Sequence, residues 1–143
     1  MRPPEGGVVL QDIHHLGHAV TDIEAAVRFY EENLGATAGE LEEVPHQGVR
    51  VVMLRMGHSH LELLQPTRPD SPVGKFLARK GEGLHHVAFR VTDIEKALAE
   101  LESKGVQPID ESPRTGAGGT RTAFVLHPKE ALGVLVELVE DPR

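Results

Sequence analysis

Residues 14–26 read HHLGHAVTDIEAA, and residues 85–97 read HHVAFRVTDIEKA. Aligned without gaps, the two stretches are identical at eight of thirteen positions, including both leading histidines and the run VTDIE. A second pair follows in the same order, with LELL at residues 61–64 and VELV at residues 136–139. Because neither pair is low in complexity, two matches in one order indicate that the chain contains an internal duplication.

Each copy predicts the same order of secondary structure: a strand, a helix and three further strands. The strands are predicted at Ile13–Val20, Ala36–Val44, Val49–Met56 and His60–Leu64, and at Leu84–Val91, Val106–Ile109, Thr122–Leu126 and Val134–Val139. The helices are predicted to bury Ile23, Ala26, Val27, Tyr30 and Leu34 in the first copy, and Ile94, Ala97, Leu98 and Leu101 in the second. Thr21 and Thr92, each followed three residues later by Glu, predict capping boxes, and Gly35 and Gly105 predict left-handed C-caps.

These elements predict an α+β fold in which two repeated βαβββ modules form an antiparallel-rich curved sheet around a metal-lined cleft. We expect one domain over residues 12–143, with module one at about 12–65 and module two at about 83–140. A connector at about 66–82 is expected to contain a short helix, Val73–Arg79, and residues 1–11 are expected to form a tail.

The composition limits the partners of the 143-residue chain. A net charge of -7 argues against a nucleic-acid backbone as the main partner. No apolar run approaches the roughly 20 residues that span a membrane, and the N-terminus lacks a signal-peptide pattern. With no cysteine there are no disulfides and no thiolate ligands, which is compatible with the cytoplasm, the location we expect.

Strand alternation separates the histidines into two groups. In the second copy Val87, Phe89 and Val91 form an apolar face that should pack on the helix, so His86 should lie on the open face. By the same alternation His15 lies on the open face of the first copy. The remaining strand histidines, His14, His18 and His85, are expected on the helix side or the rim and receive no chemical role.

Glu62 and Glu137 lie in strands too apolar to be solvated edges. An ionised carboxylate there costs several kcal/mol unless it is paired or bound to a metal. Taken singly, a strand His is more often packed or exposed than a ligand, and such a Glu is usually the outward position of a half-buried strand. Together, one His and one Glu from equivalent places in each copy indicate a site for a divalent transition metal.

The sequence resembles the vicinal oxygen chelate superfamily, which contains glyoxalases and extradiol dioxygenases, and within it the methylmalonyl-CoA epimerases. The resemblance runs from about Asp12 to Glu140. It is carried by DIHHLGHAV (12–20), DSPVGKFLARKGEGLHHVAFRV (70–91), PRTGAGGTRTAFVLHPKE (113–130) and GVLVELVE (133–140). The His and Glu positions alone mark the superfamily, whereas the longer runs are far more specific.

The resemblance implies inversion at C2 of the methylmalonyl group on coenzyme A, by metal-assisted proton abstraction through an enolate. It implies one divalent ion per site, Co2+ being favoured over Mn2+, Ni2+ or Zn2+, and a homodimer is the default expectation. It places the metal ligands at the four residues that alternation and burial had already selected: His15, Glu62, His86 and Glu137.

The resemblance also implies two catalytic bases. Glu137 is expected to be one, in addition to binding the metal. Some relatives carry the other as a Glu three residues after the Gly of a QGV turn, where this chain has Val51. The second base therefore stays open. Glu43 and His46 are the candidates that could reach the cleft from a loop, although a solvated strand-end residue is the commoner state for a Glu such as Glu43. Weaker candidates for coenzyme A contacts are Gly116–Gly119, His127–Lys129, Ser71 and Lys75.

Three other functions fit part of the pattern. A lactoylglutathione lyase would use the same two-His, two-Glu set but would need a glutathione site. An extradiol-type dioxygenase would use two His and one Glu with Fe(II), and a fourth ligand at Glu62 argues against it. A metal-free member of the fold would bind a small molecule without catalysis, which the four intact ligand positions disfavour.

Overall fold

The structure is a computed structural model that describes residues 10–142. The described residues form eight strands: β1 (Ile13–Ala19), β2 (Glu42–Val44), β3 (Val49–Met56), β4 (Ser59–Pro66), β5 (Gly83–Arg90), β6 (Arg114–Thr115), β7 (Arg121–Leu126) and β8 (Val136–Glu140). They also form three helices, α1 (Ile23–Leu34), α2 (Pro72–Lys80) and α3 (Ile94–Ser103), none of which is long and apolar enough to cross a membrane. The predicted α+β class is confirmed; the predicted tail lies almost entirely outside the described residues.

The chain divides into two compact units. One comprises His15–His86, and the other comprises the segment up to His14 together with Val87 onward. In the first unit the strand order is β2-β3-β4-β1, with β1 parallel to β4 and the other neighbours antiparallel. In the second it is β5-β8-β7-β6, with β5 parallel to β8 and the other neighbours antiparallel. The orders correspond strand by strand, as a duplication predicts; the module boundaries and the single-domain extent stay predictions.

Each unit has an apolar core between its first helix and one face of its strands. The first core contains Val20, Ile23, Val52, Leu54, Leu61 and Leu63, and the second contains Val91, Ile94, Ala97, Leu98, Ala123, Val125 and Leu138. Phe89 packs against the second cluster, as strand alternation predicted, and Leu16 packs against the first. The prediction for Leu34 is wrong: it is 68% exposed, and Ala36 and Ala38 beyond the helix pack against the cluster instead.

The N-caps lie one residue later than the capping boxes predicted. The carboxylates of Asp22 and Asp93 accept hydrogen bonds from the backbone N–H groups of Ala25 and Lys96, at 3.1 Å each. Thr21 is engaged elsewhere, because its backbone N–H donates to Glu82 at 2.9 Å. In a Thr-Asp pair both side chains can cap, and in both helices the aspartate does so.

This difference predicts unequal effects of two neighbouring substitutions. Asp93→Ala removes a side-chain cap and is expected to lower the free energy of unfolding by about 1 kcal/mol. Thr92→Ala, at an exposed position, is expected to change it by less than about 0.5 kcal/mol. Urea denaturation of both variants measures the difference, and equal losses would contradict the assignment of Asp93 as the cap.

Two predicted strands differ in the structure. The strand predicted at Ala36–Val44 is confined to β2, with Ala38 forming an isolated bridge to Leu54. The strand predicted at Val106–Ile109 is absent among the described residues, and the fourth strand of that unit is β6, which pairs with β7. Pro108 lacks a donor for a strand ladder. Asp110 then pairs with Phe124, whose backbone N–H donates to the Asp110 carboxylate at 3.0 Å.

Candidate metal centre

Three of the four predicted ligands meet in the His15–His86 unit. The Nε2 atoms of His15 and His86 are 3.0 Å apart, and each lies 3.5 Å from Oε1 of Glu62. Their exposed fractions are 3%, 6% and 7% for His15, His86 and Glu62. The structure therefore contains a buried His-His-Glu cluster.

Strand register explains why these side chains converge. In the parallel pair β1–β4, Gly17 lies opposite Glu62 and His15 lies opposite His60. Opposed residues share a face of the sheet, so Glu62 and His15 lie on the face away from α1. The intervening residues, Leu16 on β1 and Leu61 on β4, belong to the apolar core.

Gly17 makes room for the imidazole of His86. A Cβ atom at position 17 would lie 2.2 Å from Cε1 and 2.4 Å from Nδ1 of His86, well inside any allowed contact. Glycine is required here by the close approach of a side chain rather than by backbone conformation. Gly17, on the same face of β1 as His15, is thus the residue against which the imidazole of His86 packs.

The imidazole of His85 forms a hydrogen bond with Nδ1 of His86, the ring nitrogen that does not face His15. The two Nδ1 atoms are 2.9 Å apart, and the His85 ring meets Phe76 of α2 edge to face with centroids 5.1 Å apart. If Nδ1 of His86 donates to His85, its Nε2 keeps a lone pair for a metal. Sequence alternation gave His85 no role, and the structure makes it the support of a ligand.

Replacing His85 with alanine is expected to weaken Co2+ binding roughly 10- to 100-fold, because the orientation and tautomer of His86 are no longer fixed. Titration followed by the visible absorbance of bound Co2+ measures the affinity. His85→Asn, whose amide oxygen can accept the same hydrogen bond, should recover part of the loss. Wild-type affinity in the alanine variant would show that His85 does not support His86.

The cluster fits a divalent ion in both donor type and spacing. Two donors about 2.1 Å from one ion, at angles between 90° and the tetrahedral value, are roughly 3.0 to 3.4 Å apart. The separations of 3.0 and 3.5 Å lie close to that range. Two imidazoles and a carboxylate also form a donor set that transition metals favour over Ca2+.

The two carboxylates predicted to be catalytic lie in different surroundings. Glu137 is 3% exposed on β8, where it lies opposite Ala88 of β5 and Phe124 of β7. Glu43 is exposed on β2 and lies opposite Arg50, whose guanidinium binds Glu24 of α1 at 2.6 Å. The register therefore places Glu43 on the helix-facing side of its sheet, away from the His-His-Glu cluster.

The remaining strand histidines have structural partners. His14 is 2% exposed and its Nε2 lies 2.8 Å from the carboxylate of Asp141, a hydrogen bond that no sequence signal indicated. His18 contacts the Tyr30 hydroxyl at 2.8 Å. Burial lowers the pKa of His18, partly offset by the charge of Glu82.

The weaker candidates for coenzyme A contacts include one residue with a structural role and several exposed residues. Ser71 is fully buried and caps α2, accepting from the backbone N–H of Gly74 at 3.1 Å, so it has a structural role. Lys75, His127 and Lys129 are exposed. Residues 117–119 form a short 3-10 turn in which Gly118 is left-handed.

The sequence matches the glyoxalase/bleomycin resistance protein/dioxygenase superfamily over residues 14–124. The mitochondrial methylmalonyl-CoA epimerase of Homo sapiens is 40% identical over 127 residues, which cover 88% of this chain and 72% of the human protein. The ethylmalonyl-CoA/methylmalonyl-CoA epimerase of Cereibacter sphaeroides is 37% identical over 128 residues, covering 88% and 95%. A methylmalonyl-CoA epimerase solved with methylmalonyl-CoA and ammonium is 43% identical at a TM-score of 0.89, covering 94% and 96%. The chain therefore belongs to the glyoxalase/bleomycin resistance protein/dioxygenase superfamily and, within it, to the methylmalonyl-CoA epimerase family.

Proposed function

We propose that the chain interconverts the S and R forms of methylmalonyl-CoA by inverting the configuration at C2. The main support is a sequence identity of 40–43% to methylmalonyl-CoA epimerases over 88–94% of the chain. The buried His-His-Glu cluster supports it, because abstraction of a proton beside a thioester needs a positive charge near the developing enolate.

His15, Glu62 and His86 would hold one divalent ion, and we include Glu137 as the fourth ligand. His86 and Ala88 share a face of β5, and Ala88 lies opposite Glu137 in the β5–β8 pair, which supports the inclusion. Two imidazoles and two carboxylates suit Co2+, our first choice, and also Mn2+, Ni2+ or Zn2+. A bound ion supplies Lewis acidity that stabilises negative charge on the thioester oxygen.

Glu137 is the first proton-transfer group of the proposed reaction. The C2–H bond breaks, the proton moves to a carboxylate oxygen of Glu137, and the electron pair spreads into the thioester carbonyl. The burial of Glu137 keeps water from competing for that proton. Inversion then requires a second group on the opposite side of the planar carbon, for which the sequence suggested Glu43.

The competing functions have less support. The relatives described above are epimerases, and none is a lactoylglutathione lyase, a dioxygenase or a non-catalytic binding protein. We further propose that the chain forms a homodimer in the cytoplasm. Light scattering after gel filtration measures the subunit number.

The function is tested by incubating the Co2+-loaded protein with methylmalonyl-CoA in D2O and following deuterium at C2 by NMR. We expect metal-dependent exchange accompanied by inversion. The protein treated with a chelator serves as the control. The absence of exchange with every metal named above would overturn the proposal.

A further inference from the structure

Inversion needs two proton-transfer groups, and the structure offers a specific second one if the proposed function holds. The side chain of Asp141 is 5% exposed, and its carboxylate contacts His14 at 2.8 Å. Among the described residues that are buried as a whole, the carboxylates are Glu62 and Glu137, one on β4 and one on β8. Both side chains are excluded from water, with exposed fractions of 7% and 3%. The other carboxylate suggested by the sequence, Glu43, is exposed and faces α1.

The register of the first unit favours Glu62 over the remaining acidic residue on that face. Glu42 lies opposite Val51, so it shares the face of Glu62, but it is exposed on edge strand β2. In the order β2-β3-β4-β1, β2 lies three strands from β1, about 14 Å at the usual spacing. Glu62 lies on the strand next to β1 and opposite Gly17, the residue against which His86 packs.

We infer that Glu62 is the second proton-transfer group of the epimerase, in addition to being a metal ligand. Its Oε1 lies 3.5 Å from the Nε2 atom of each histidine, so the carboxylate is positioned beside the proposed metal centre. For one epimer, C2–H breaks, the proton moves to Glu62, and Glu137 returns a proton to the opposite side. For the other epimer the two roles are exchanged, so protons and charge balance in both directions.

The test is Glu62→Gln, because glutamine retains an oxygen that can bind metal but cannot accept the C2 proton. Each pure epimer is incubated in D2O with the variant at saturating Co2+, and saturation is established by the visible absorbance of bound Co2+. We expect inversion to fall about 100-fold or more, the typical contribution of a general acid or base. Exchange at C2 should persist for the epimer whose C2 proton is taken by Glu137, and it should be lost for the epimer whose C2 proton is taken by Glu62.

A second variant tests whether a carboxylate at this place on the sheet is what inversion requires, by restoring one beside the Glu62→Gln substitution. Val51 is on β3, where it lies opposite Leu64 of β4. Leu64 and Glu62 are two residues apart on β4, so Val51 shares the face of Glu62 and is its diagonal neighbour. Val51→Glu, combined with Glu62→Gln, should restore inversion at least tenfold over Glu62→Gln alone. Glu40→Gln, an exposed residue, is the matched control and should retain wild-type rates.

The inference is overturned if Glu62→Gln inverts at more than half the wild-type rate, or loses exchange with both epimers equally. It is also overturned if Glu43→Gln, rather than Glu62→Gln, loses exchange with one epimer. A wild-type protein without exchange would instead remove the proposed function, so the two failures are distinguishable.

Discussion

His86→Ala is expected to reduce Co2+ affinity by more than about 100-fold, beyond the typical effect of a residue that only supports a ligand. The imidazole lies 3.0 Å from His15 and 3.5 Å from Glu62, so its removal takes away one donor and leaves the carboxylate without that neighbour. C2 exchange should fall to the level of the metal-free protein. Calorimetric Co2+ titration and the D2O assay measure the two losses.

The matched control is His18→Ala, another strand histidine whose partner is Tyr30 rather than the cluster. It is expected to lose some thermal stability but to bind Co2+ normally. If His86→Ala bound one equivalent of Co2+ as tightly as wild type and exchanged normally, the metal centre described above would be wrong, whatever the activity of the protein.

Gly17→Ala should also weaken Co2+ binding, although it removes no functional group. The added methyl would lie 2.2 Å from Cε1 of His86, so the ring must rotate away or the strands must separate. Overpacking of this kind costs about 1–3 kcal/mol of stability. The greater effect is expected on Co2+ affinity, at least tenfold, because a displaced His86 cannot approach an ion shared with His15.

Gly83→Ala separates this steric effect from a general intolerance of alanine for glycine. Gly83 is also in a strand, but a Cβ there meets no atom within 4 Å. Thermal melts and Co2+ titrations of both variants should show a loss for Gly17→Ala and near-wild-type behaviour for Gly83→Ala. Equal behaviour of the two would mean that Gly17 does not seat His86.

The sequence predicted His15, Glu62 and His86 because the relevant rule is local. Side chains alternate at every residue of a strand, so the apolar residues beside each histidine determine its face without knowledge of the fold. The duplication then related positions 71 residues apart, His15 and His86. The family resemblance then suggested the reaction, inversion at C2 of the methylmalonyl group, which side-chain alternation alone does not indicate.

The features that the sequence did not predict depend on pairings and contacts that side-chain alternation does not specify. The face of Glu43 depends on the pairing of a three-residue strand, and a shift of one residue reverses it. His85 acquires its role because Phe76 and His86 both contact its ring. The choice of Asp22 and Asp93 as caps, rather than the threonines before them, depends on the residue at which each helix begins.

Two short strands, β2 with three residues and β6 with two, each lie at one end of the strand order of their unit and have a bearing on aggregation. An exposed strand edge is a template on which other chains can add strands, and long apolar edges promote such growth. Here the edges are short and carry charge, with Glu42 and Glu43 on β2 and Arg114 on β6, all exposed. Short, charged edges of this kind offer few backbone groups for pairing, so they limit strand-by-strand association between molecules at β2 and β6.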